Sequence, residues 1–351
     1  MTDFRQTLRL VVEQGATLSR DEARGLITQI LAPAEGEPPL HDTEIGALLT
    51  ALAVRGETPD ELTGVAEAMR ALAVPLDLTD HERASLVDTC GTGGDGLGTF
   101  NISTGAALVA VAAGARVAKH GNRAITSRCG SADVLEALGI PVTLEPDAAV
   151  ACLRATGFMF LYAPALHPTL RRVQPLRRTL GFRTIFNLAG PLTNPAGAPA
   201  QVMGVYSGSK MMLAAEAMAR LGIRFGMVAH GRNGMDEIAL SVTDAIVVRR
   251  GESHPSVSRT TFSPEMFGMK RTPVREFTGT STTAGNAAIL EKIFAGERGP
   301  KRNIVVVNAA AALYVGRVAS TLEDGVRLAA SAIDSGAVRD TLEQLRAYGK
   351  S

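Results

Sequence analysis

The sequence predicts an α/β fold: a small N-terminal helical domain followed by a large domain with a central, mostly parallel sheet flanked by helices. Apolar residues recur at helical spacing from Phe4 to about Ala73, which favours several short helices. From Leu86 to about Phe160, and again from Ala200 to Val248, short apolar runs alternate with helical segments. This alternation is typical of parallel strands joined by helices that cover both faces of the sheet.

Two capping boxes mark helix starts in the N-terminal region. Ser19 precedes Glu22 by three residues, and Thr58 stands in the same relation to Glu61. In each pair the hydroxyl accepts a helix N–H and the carboxylate accepts the N–H of the cap residue, so both helix starts are fixed locally. Pro75 ends the helical pattern, and we place a domain boundary near residue 77.

Composition argues against several classes of protein. The 351 residues carry a formal net charge of +1, which gives no sign of a nucleic-acid-binding surface. No uncharged apolar stretch reaches membrane-spanning length, and the N-terminus lacks a signal-peptide pattern. We therefore expect a cytoplasmic protein with no nucleic-acid or membrane partner. Cys90, Cys129 and Cys152 lack metal-ligand spacing and are expected to be reduced thiols with a packing role.

A glycine-rich stretch is the main candidate for a ligand site. Five glycines lie within 91–98, between an apolar strand end and a helical pattern. Glycine permits positive φ and a close approach of backbone N–H groups to a ligand, while Asn101, Ser103 and Thr104 can cap the following helix. The positive end of that helix faces the same ligand, so the stretch predicts a phosphate or pyrophosphate site. The spacing is not that of a P-loop and does not identify the phosphate compound.

A second strand end carries complementary groups. The strand-like run Ala115–Ala118 is followed directly by Lys119, His120 and, after a glycine, Asn122. Because parallel strands end at one edge of a sheet, where open α/β sheets bind ligands, these side chains are expected beside the glycine loop. A lysine in this position is either a solvated surface charge or a phosphate contact, and the neighbouring loop favours the contact.

Asp236 and Glu237 are the candidate metal ligands. They follow an apolar run and the turn 231–234. Adjacent carboxylates are common on solvated turns, so the pair alone leaves that interpretation open. Mg²⁺ takes one or two carboxylates and completes its shell with phosphate oxygens and water, which suits a site near a phosphate loop.

The remaining elements follow from periodicity and turn residues. Residues 249–283 are polar and rich in Pro and Gly, which favours surface strands and loops. The β-branched run Ile304–Val307 favours a short strand, with an alanine-rich helix starting at Asn308. Further helical patterns lie at 106–113, 131–138, 147–156, 210–221, 286–294, 322–335 and 338–348.

Eight segments resemble the anthranilate phosphoribosyltransferase family in order and spacing, over nearly the whole chain. They are G-T-G-G-D (91–95), T-F-N-I-S-T (99–104), K-H-G-N-R (119–123), G-S-A-D-V-L-E-A-L-G (130–139), A-P-A-L-H-P (163–168), the stretch 176–195, M-D-E (235–237) and N-A-A-A-A-L-Y (308–314). Thr126, Cys129 and Met235 depart from the residues most usual in the family, which concerns affinity more than reaction type.

The resemblance implies transfer of the 5-phosphoribosyl group from phosphoribosyl pyrophosphate to the amine of anthranilate, with release of pyrophosphate, in tryptophan biosynthesis. It implies a fold of the nucleoside phosphorylase/phosphoribosyltransferase type. Residues 1–76 and 168–196 would form the helical domain, and residues 77–167 and 197–351 the α/β domain. It also implies a homodimer joined through the helical domain.

The resemblance further assigns residues to the phosphate side of the site. It implies Mg²⁺ as cofactor, with two ions per subunit, held by Ser103, Asp236 and Glu237. The implied contacts to phosphoribosyl pyrophosphate are Gly91, Gly94, Asp95, Thr99, Asn101, Ser103, Thr104, Lys119, Asn122 and Ser131.

On the acceptor side, Arg177 matches the arginine that holds the anthranilate carboxylate, to which a planar guanidinium can donate paired bonds. The arginines at 171, 172, 178 and 183 are expected on a solvated helix face or in salt bridges. No general base is assigned, because the aromatic amine is already neutral and nucleophilic at pH 7. The implied anthranilate contacts are Gly91, His120, Asn122, His167 and Arg177.

Two other classes of protein share the predicted architecture. A pyrimidine nucleoside phosphorylase would carry a lysine-histidine-serine glycine loop, which is absent here, whereas G-T-G-G-D and T-F-N-I-S-T are present. A non-catalytic paralogue that binds nucleic acid would lose the metal carboxylates and gain a basic groove. This chain retains Asp236 and Glu237 and is nearly neutral.

Overall fold

The computed structural model describes residues 3–36, 38–124, 129–251 and 254–349, and Thr126 lies outside them. It confirms the predicted fold class, with a small helical domain before a large α/β domain. The capping boxes at Ser19 and Thr58 are present as predicted. The N-terminal helices are α1 (Phe4–Gln14), α2 (Arg20–Leu31), α3 (Asp42–Arg55), α4 (Pro59–Ala71) and α5 (Asp80–Ala84).

A seven-stranded sheet forms the centre of the part of the chain that the structure describes. Its strands are β1 (Leu86–Asp88), β2 (Arg116–Gly121), β3 (Phe158–Tyr162), β4 (Ala200–Gly204), β5 (Phe225–Gly231), β6 (Thr243–Arg249) and β7 (Ser256–Phe262). Their spatial order is β3-β2-β1-β4-β5-β6-β7. The five strands β3, β2, β1, β4 and β5 are parallel to one another. Strands β6 and β7 extend the sheet beyond β5, and each is antiparallel to its neighbour.

The strand order places the ligand site. From β1 the chain proceeds outward to β2 and β3, and it then returns to form β4 on the other side of β1. A crevice opens outside the carboxyl ends of the strands where the direction of winding reverses, and ligands bind there in open α/β sheets. The loops that follow β1 and β4 therefore face each other at this point.

Helices cover the two faces of the sheet and complete the chain. The predicted helical segments are present, with boundaries shifted by a few residues. The helices are α6 (Ile102–Ala112), α7 (Ser131–Ala137), α8 (Pro146–Thr156), α9 (Ala163–Leu166), α10 (Gln174–Leu180), α11 (Ile185–Ala189), α12 (Met211–Arg220), α13 (Thr283–Phe294), α14 (Pro300–Val315), α15 (Leu322–Asp334) and α16 (Ala337–Tyr348).

The strand predicted for Ile304–Val307 is wrong, because these residues lie within α14. Each of the four side chains is at most 1% exposed, so the helix is apolar on every side at this point. A short β-branched run cannot be distinguished by periodicity from a fully buried helix. Pro300 in the first turn, and burial against helices α6 and α15, favour the helix here.

The N-terminal helices and the segment that follows α9 share one hydrophobic core. Val173, Ile185 and Phe186 pack in the same cluster of buried side chains as Leu48 and Leu62. That cluster continues through α12 to one face of strands β4 to β6, while α6, α14 and α15 cover the other face. None of the helices in the described residues is long and apolar enough to cross a membrane.

A buried ion pair joins the end of α3 to the segments that lead into α2 and α4. The Glu61 side chain is fully buried, and its two carboxylate oxygens accept the N–H groups of Leu18 and Thr58, each at 2.8 Å. The guanidinium of Arg55 donates to the same carboxylate and to the carbonyl of Ala16. Without Glu61, the N–H groups of Leu18 and Thr58 and the guanidinium of Arg55 would lose their shared acceptor.

Replacing Glu61 with alanine should lower the free energy of unfolding by about 3–5 kcal/mol, because Arg55 and two backbone N–H groups would stay buried without their acceptor. Urea denaturation followed by circular dichroism measures the change. The matched control is Glu13→Ala on α1, where the side chain is 63% exposed and a change within about 0.5 kcal/mol is expected. An equally small change in the free energy of unfolding of Glu61→Ala and Glu13→Ala would contradict the stabilising role of the buried ion pair.

Candidate active site

The glycine-rich loop leaves β1 in the conformation that the sequence predicts. Four glycines within 91–98 have positive φ, between 63° and 77°, where a Cβ is unfavourable. Thr92 fixes the loop to the neighbouring strand: its N–H donates to the carbonyl of Gly204 at 2.9 Å, and its hydroxyl accepts the N–H of Tyr206 at 3.0 Å. The loops after β1 and β4 are thus joined across the crevice.

Helix α6 directs its N-terminal end into the crevice. The N–H of Ser103, in the first turn, donates to Oε1 of Glu237 at 3.1 Å, so an anionic group already lies at the positive end of the helix. The capping role expected for Asn101 is wrong. Asn101 stands at the cap position, but its amide nitrogen donates to the carbonyl of Cys129 at 3.1 Å and makes no cap bond.

Lys119 is buried at the carboxyl end of β2, with 2% of its surface exposed. Its Nζ donates to the carbonyl and hydroxyl oxygens of Thr89 at 3.2 and 3.1 Å, and it lies 3.5 Å from Oγ of Ser103. These hydrogen-bond partners are uncharged. Burial of a lysine needs a compensating anion, and the groups that face it across the crevice are carboxylates.

Three carboxylates converge near Lys119. The side chain of Asp95, from the glycine loop, lies against that of Asp236, and Glu237 is adjacent to both. Burial, reinforced by the neighbouring carboxylates, raises the pKa of Asp236 and the pKa of Glu237. Oδ1 of Asp95 accepts the N–H of Leu97 at 3.0 Å, but Oδ2 is buried with no hydrogen-bond donor in the described part of the chain. The cluster has more negative charge than one lysine offsets.

Close backbone contact holds the acidic turn against β4. A Cβ on Gly204 would lie 1.5 Å from the carbonyl oxygen of Asp236, so only glycine allows this approach. A Cβ on Gly91 would in turn lie 3.0 Å from the carbonyl oxygen of Gly204. Three segments that are remote in sequence therefore meet at the level of the backbone.

The two histidines expected to line the acceptor site lie together. His120 and His167 are 4% and 2% exposed, and their ring centroids are 5.2 Å apart. Burial lowers the pKa of both imidazoles, that of His120 to about 3, so both rings are neutral at pH 7. Asn122 follows on the same strand end, where its N–H donates to the hydroxyl of Ser131 at 3.2 Å.

Arg177 is a partly buried cation on α10. Its guanidinium lies 5.4 Å from the centroid of the Phe186 ring, and burial lowers its pKa. Among the described residues it has no carboxylate partner, whereas Arg172 pairs with Asp42 at 2.6 Å. The structure therefore distinguishes Arg177 from a neighbour that serves a salt bridge.

Arg183 has a role that the sequence did not predict. It is exposed, but its guanidinium lies 4.1 Å from the centroid of the Tyr206 ring and donates to the carbonyl of Gly94. It thereby ties the segment after α10 to the glycine loop. Spacing gave no signal for this contact, because the two segments are almost ninety residues apart.

The structure brings most of the predicted residues together. Direct contacts connect Ser103 with Lys119 and Glu237, and Asp95 with Asp236, while Gly91 packs against Gly204, which in turn approaches Asp236. Gly94, Asn101, Asn122 and Ser131 lie in the loops around them. Thr104 is buried in the first turns of α6, and Thr99 pairs with Thr278. Cys90 lies at the start of the glycine loop, and burial raises the pKa of its thiol, which favours the protonated, unreactive form. Lys119 and the N–H groups at the start of α6 thus lie beside three carboxylates, an arrangement suited to a metal-bound phosphate compound.

Family models match both parts of the chain. The model described as "Glycosyl transferase family, helical bundle domain" matches residues 5–73, and the one described as "Glycosyl transferase family, a/b domain" matches residues 83–339. The fold and the site thus define the class: a two-domain glycosyl transferase.

Relatives define the family more closely. The anthranilate phosphoribosyltransferase of Solibacter usitatus is 47% identical over 98% of both chains, and that of Symbiobacterium thermophilum is 46% identical over 96% of this chain and 95% of the relative. The crystal structure of the Thermus thermophilus enzyme covers 100% of both chains with a TM-score of 0.88 and 39% identity. The Saccharomyces cerevisiae enzyme in complex with PRPP and Mg covers 99% of this chain and 98% of its own, with a TM-score of 0.86 and 25% identity.

The chain belongs to the anthranilate phosphoribosyltransferase family. The resemblance seen in the sequence is therefore confirmed, together with the fold that it implies.

The raised pKa values of the acidic cluster predict how stability depends on pH. A carboxylate whose pKa is higher in the folded than in the unfolded chain stabilises the fold below the unfolded pKa, and this contribution is lost as the pH rises through the folded pKa. Above pH 7, protein free of divalent ions should be stabilised by Asp236→Asn with Glu237→Gln, on the order of 1–2 kcal/mol. Urea denaturation at pH 6 and pH 8.5 in EDTA measures the effect. A gain that does not grow with pH would refute it.

Proposed function

We propose that this protein transfers the 5-phosphoribosyl group from phosphoribosyl pyrophosphate to the amine of anthranilate, giving N-(5-phosphoribosyl)anthranilate and pyrophosphate in tryptophan biosynthesis. The observation that carries the proposal is the contact of the acidic turn with the first turn of α6, beside buried Lys119. This arrangement provides N–H donors, a cation and metal-ligating carboxylates at one point of the sheet edge. Family membership supplies the chemistry that such a site serves.

Magnesium fits the residues present. Burial and the neighbouring carboxylates raise the pKa values of Asp236 and Glu237, and Oδ2 of Asp95 is buried with no hydrogen-bond donor among the described residues. A bound cation would offset this concentration of negative charge. We propose that Ser103, Asp236 and Glu237 hold Mg²⁺, with two ions per subunit. Bound there with the diphosphate, Mg²⁺ would neutralise the charge that develops on the departing pyrophosphate.

The chain itself would hold phosphoribosyl pyrophosphate through the glycine loop, the first turn of α6 and Lys119. Gly91 and Gly94 offer backbone N–H groups, and Asn101, Ser103 and Thr104 surround the helix start. These donors are fixed before the reaction, so they stabilise the leaving group without reorganisation. Asp95, Thr99, Asn122 and Ser131 complete the proposed set.

The acceptor would lie between the β2 strand end and α10. Arg177 would pair with its carboxylate, and the neutral rings of His120 and His167, with Gly91 and Asn122, would line its place. The amine nitrogen forms a bond to C1 of the ribose while the bond from C1 to the pyrophosphate oxygen breaks, and the electron pair leaves with pyrophosphate. Attack gives an ammonium that loses one proton to solvent and so becomes the secondary amine of the product. Orientation can therefore supply the rate without a general base.

We also propose the wider organisation that the sequence suggests. Residues 1–76 and 168–196 form the helical domain, residues 77–167 and 197–351 form the α/β domain, and a homodimer joins through the helical domain in the cytoplasm. The shared core of Val173 and Phe186 with the N-terminal helices supports the division. Exposed Leu10, Val12 and Val54 on those helices support the dimer.

The direct test follows anthranilate fluorescence with purified protein, phosphoribosyl pyrophosphate and Mg²⁺. Loss of the signal only when all components are present supports the proposal. A constant signal from folded protein would refute it, and other aromatic amines, nucleosides with phosphate, and nucleic acid would then be offered in turn.

Asp236→Asn with Glu237→Gln should reduce Mg²⁺-dependent turnover by at least about 100-fold, because the proposed metal ligands lose their charge. The fluorescence assay over a range of Mg²⁺ concentrations measures it, and circular dichroism checks that the fold survives. Unchanged turnover in the double variant would exclude these residues as ligands.

Arg177→Ala should raise KM for anthranilate about 10- to 100-fold, through loss of a charge-assisted pair, and should leave KM for phosphoribosyl pyrophosphate within about twofold. Arg178→Ala, an exposed neighbour on the same helix, is the control and should match the wild type. An equal rise in both KM values would indicate a structural role for Arg177.

A further inference from the structure

A buried asparagine outside the proposed contacts holds the acidic turn in place. Asn308 lies in α14 and is 4% exposed. Its Oδ1 accepts the N–H of Ile238 at 3.0 Å, and its Nδ2 donates to the carbonyl of Ile238 at 2.9 Å and to that of Ile304 at 2.9 Å. The side chain therefore engages both backbone groups of Ile238, as a neighbouring strand would.

Ile238 directly follows the two proposed metal ligands. On the other side of the pair, the carbonyl of Met235 accepts the N–H of Gly231 at 2.9 Å, which fixes that end to β5. Asp236 and Glu237 therefore lie between Met235, which is bonded to the sheet, and Ile238, which is bonded to α14. The α14 attachment depends on the side chain of Asn308, and the next residue, Ala239, donates its N–H to the hydroxyl of Thr243 at 2.9 Å.

The turn has a physical need for this attachment. The turn must keep Glu237 within bonding distance of the first turn of α6, where its Oε1 accepts the N–H of Ser103 at 3.1 Å. Two opposed hydrogen bonds to one backbone residue resist both translation and rotation of the turn. Each is formed in a dry environment, where hydrogen bonds are strong and unpaired groups are costly.

We propose that Asn308 is a positioning residue for Mg²⁺: it holds the Asp236–Glu237 turn in the conformation that binds the ion with pyrophosphate. The inference rests on the proposed function and extends it to a residue that touches neither substrate nor metal. Residues of this kind, which orient metal ligands, typically change metal affinity 10- to 100-fold when replaced.

A purely structural role makes a different prediction, and the same helix offers a matched control. Arg302 is 5% exposed on α14 and donates to the carbonyl of Ala330 at 3.3 Å and to Asp334 at 2.8 Å. It anchors α14 to α15 and has no bond to the acidic turn. Arg302→Met should therefore destabilise the fold without disturbing the metal site.

The experiment compares wild type, Asn308→Ala, Asn308→Ser and Arg302→Met. Calorimetric titration of Mg²⁺ into each protein, with saturating phosphoribosyl pyrophosphate and no anthranilate, gives metal affinity independently of turnover once the same titration into phosphoribosyl pyrophosphate alone has been subtracted. We expect at least about a tenfold loss of affinity in both Asn308 variants, with KM for anthranilate within about twofold of wild type. Arg302→Met should keep the wild-type Mg²⁺ affinity even if its unfolding midpoint falls as far as the midpoints of the Asn308 variants.

The outcomes separate this inference from the proposed function. Two results with an active wild type would overturn the role of Asn308 alone. One is an unchanged Mg²⁺ affinity in a folded Asn308 variant, and the other is a loss of Mg²⁺ affinity in Arg302→Met equal to that in the Asn308 variants. Failure of both Asn308 variants to fold, while Arg302→Met folds, would assign the residue to the fold and likewise overturn it. A wild-type protein that neither forms product nor binds Mg²⁺ would overturn both proposals.

Discussion

The structure depends on bringing several negative charges to one positive helix end. Glu237 accepts an N–H from the first turn of α6, and Asp236 and Asp95 lie beside it with Lys119 as the nearest buried cation. Left to themselves, three carboxylates at one place would oppose folding. The carboxylates lie at the crevice where the direction of winding of the sheet reverses. A substrate that carries phosphate groups and divalent cations can balance their charge there.

Local precision at this point comes from the backbone more than from side chains. Gly204 lets the carbonyl of Asp236 approach β4 closely, and Thr92 bonds the glycine loop to the same strand. Asn308 then fixes the far end of the acidic turn from α14. Strand β4, the glycine loop and α14 each restrict the acidic turn or its surroundings in a different way. The carboxylates therefore stay close together despite their repulsion.

The segment after α9 links the site to the N-terminal helices. Val173 and Ile185 are buried with those helices, whereas Arg183 reaches the carbonyl of Gly94 and the ring of Tyr206. The helix that presents Arg177 is thus supported on one side by the helical core, and the segment that follows it is tied to the glycine loop. This arrangement gives the proposed acceptor side its position relative to the proposed donor side.

The sequence by itself determined the glycine loop and the helix caps at Ser19 and Thr58, because each depends on neighbours within a few residues. The alternation of apolar runs with helical segments predicted the fold class, and the resemblance to the family singled out Asp236 and Glu237 as candidate metal ligands. Tertiary structure decided the rest. Burial on all sides made Ile304–Val307 helical against their β-branched character, and the carbonyl of Cys129 drew the side chain of Asn101 away from its cap. The contacts of Gly204, Arg183 and Asn308 join segments that are far apart in the chain, and only the folded sheet brings such segments within bonding distance.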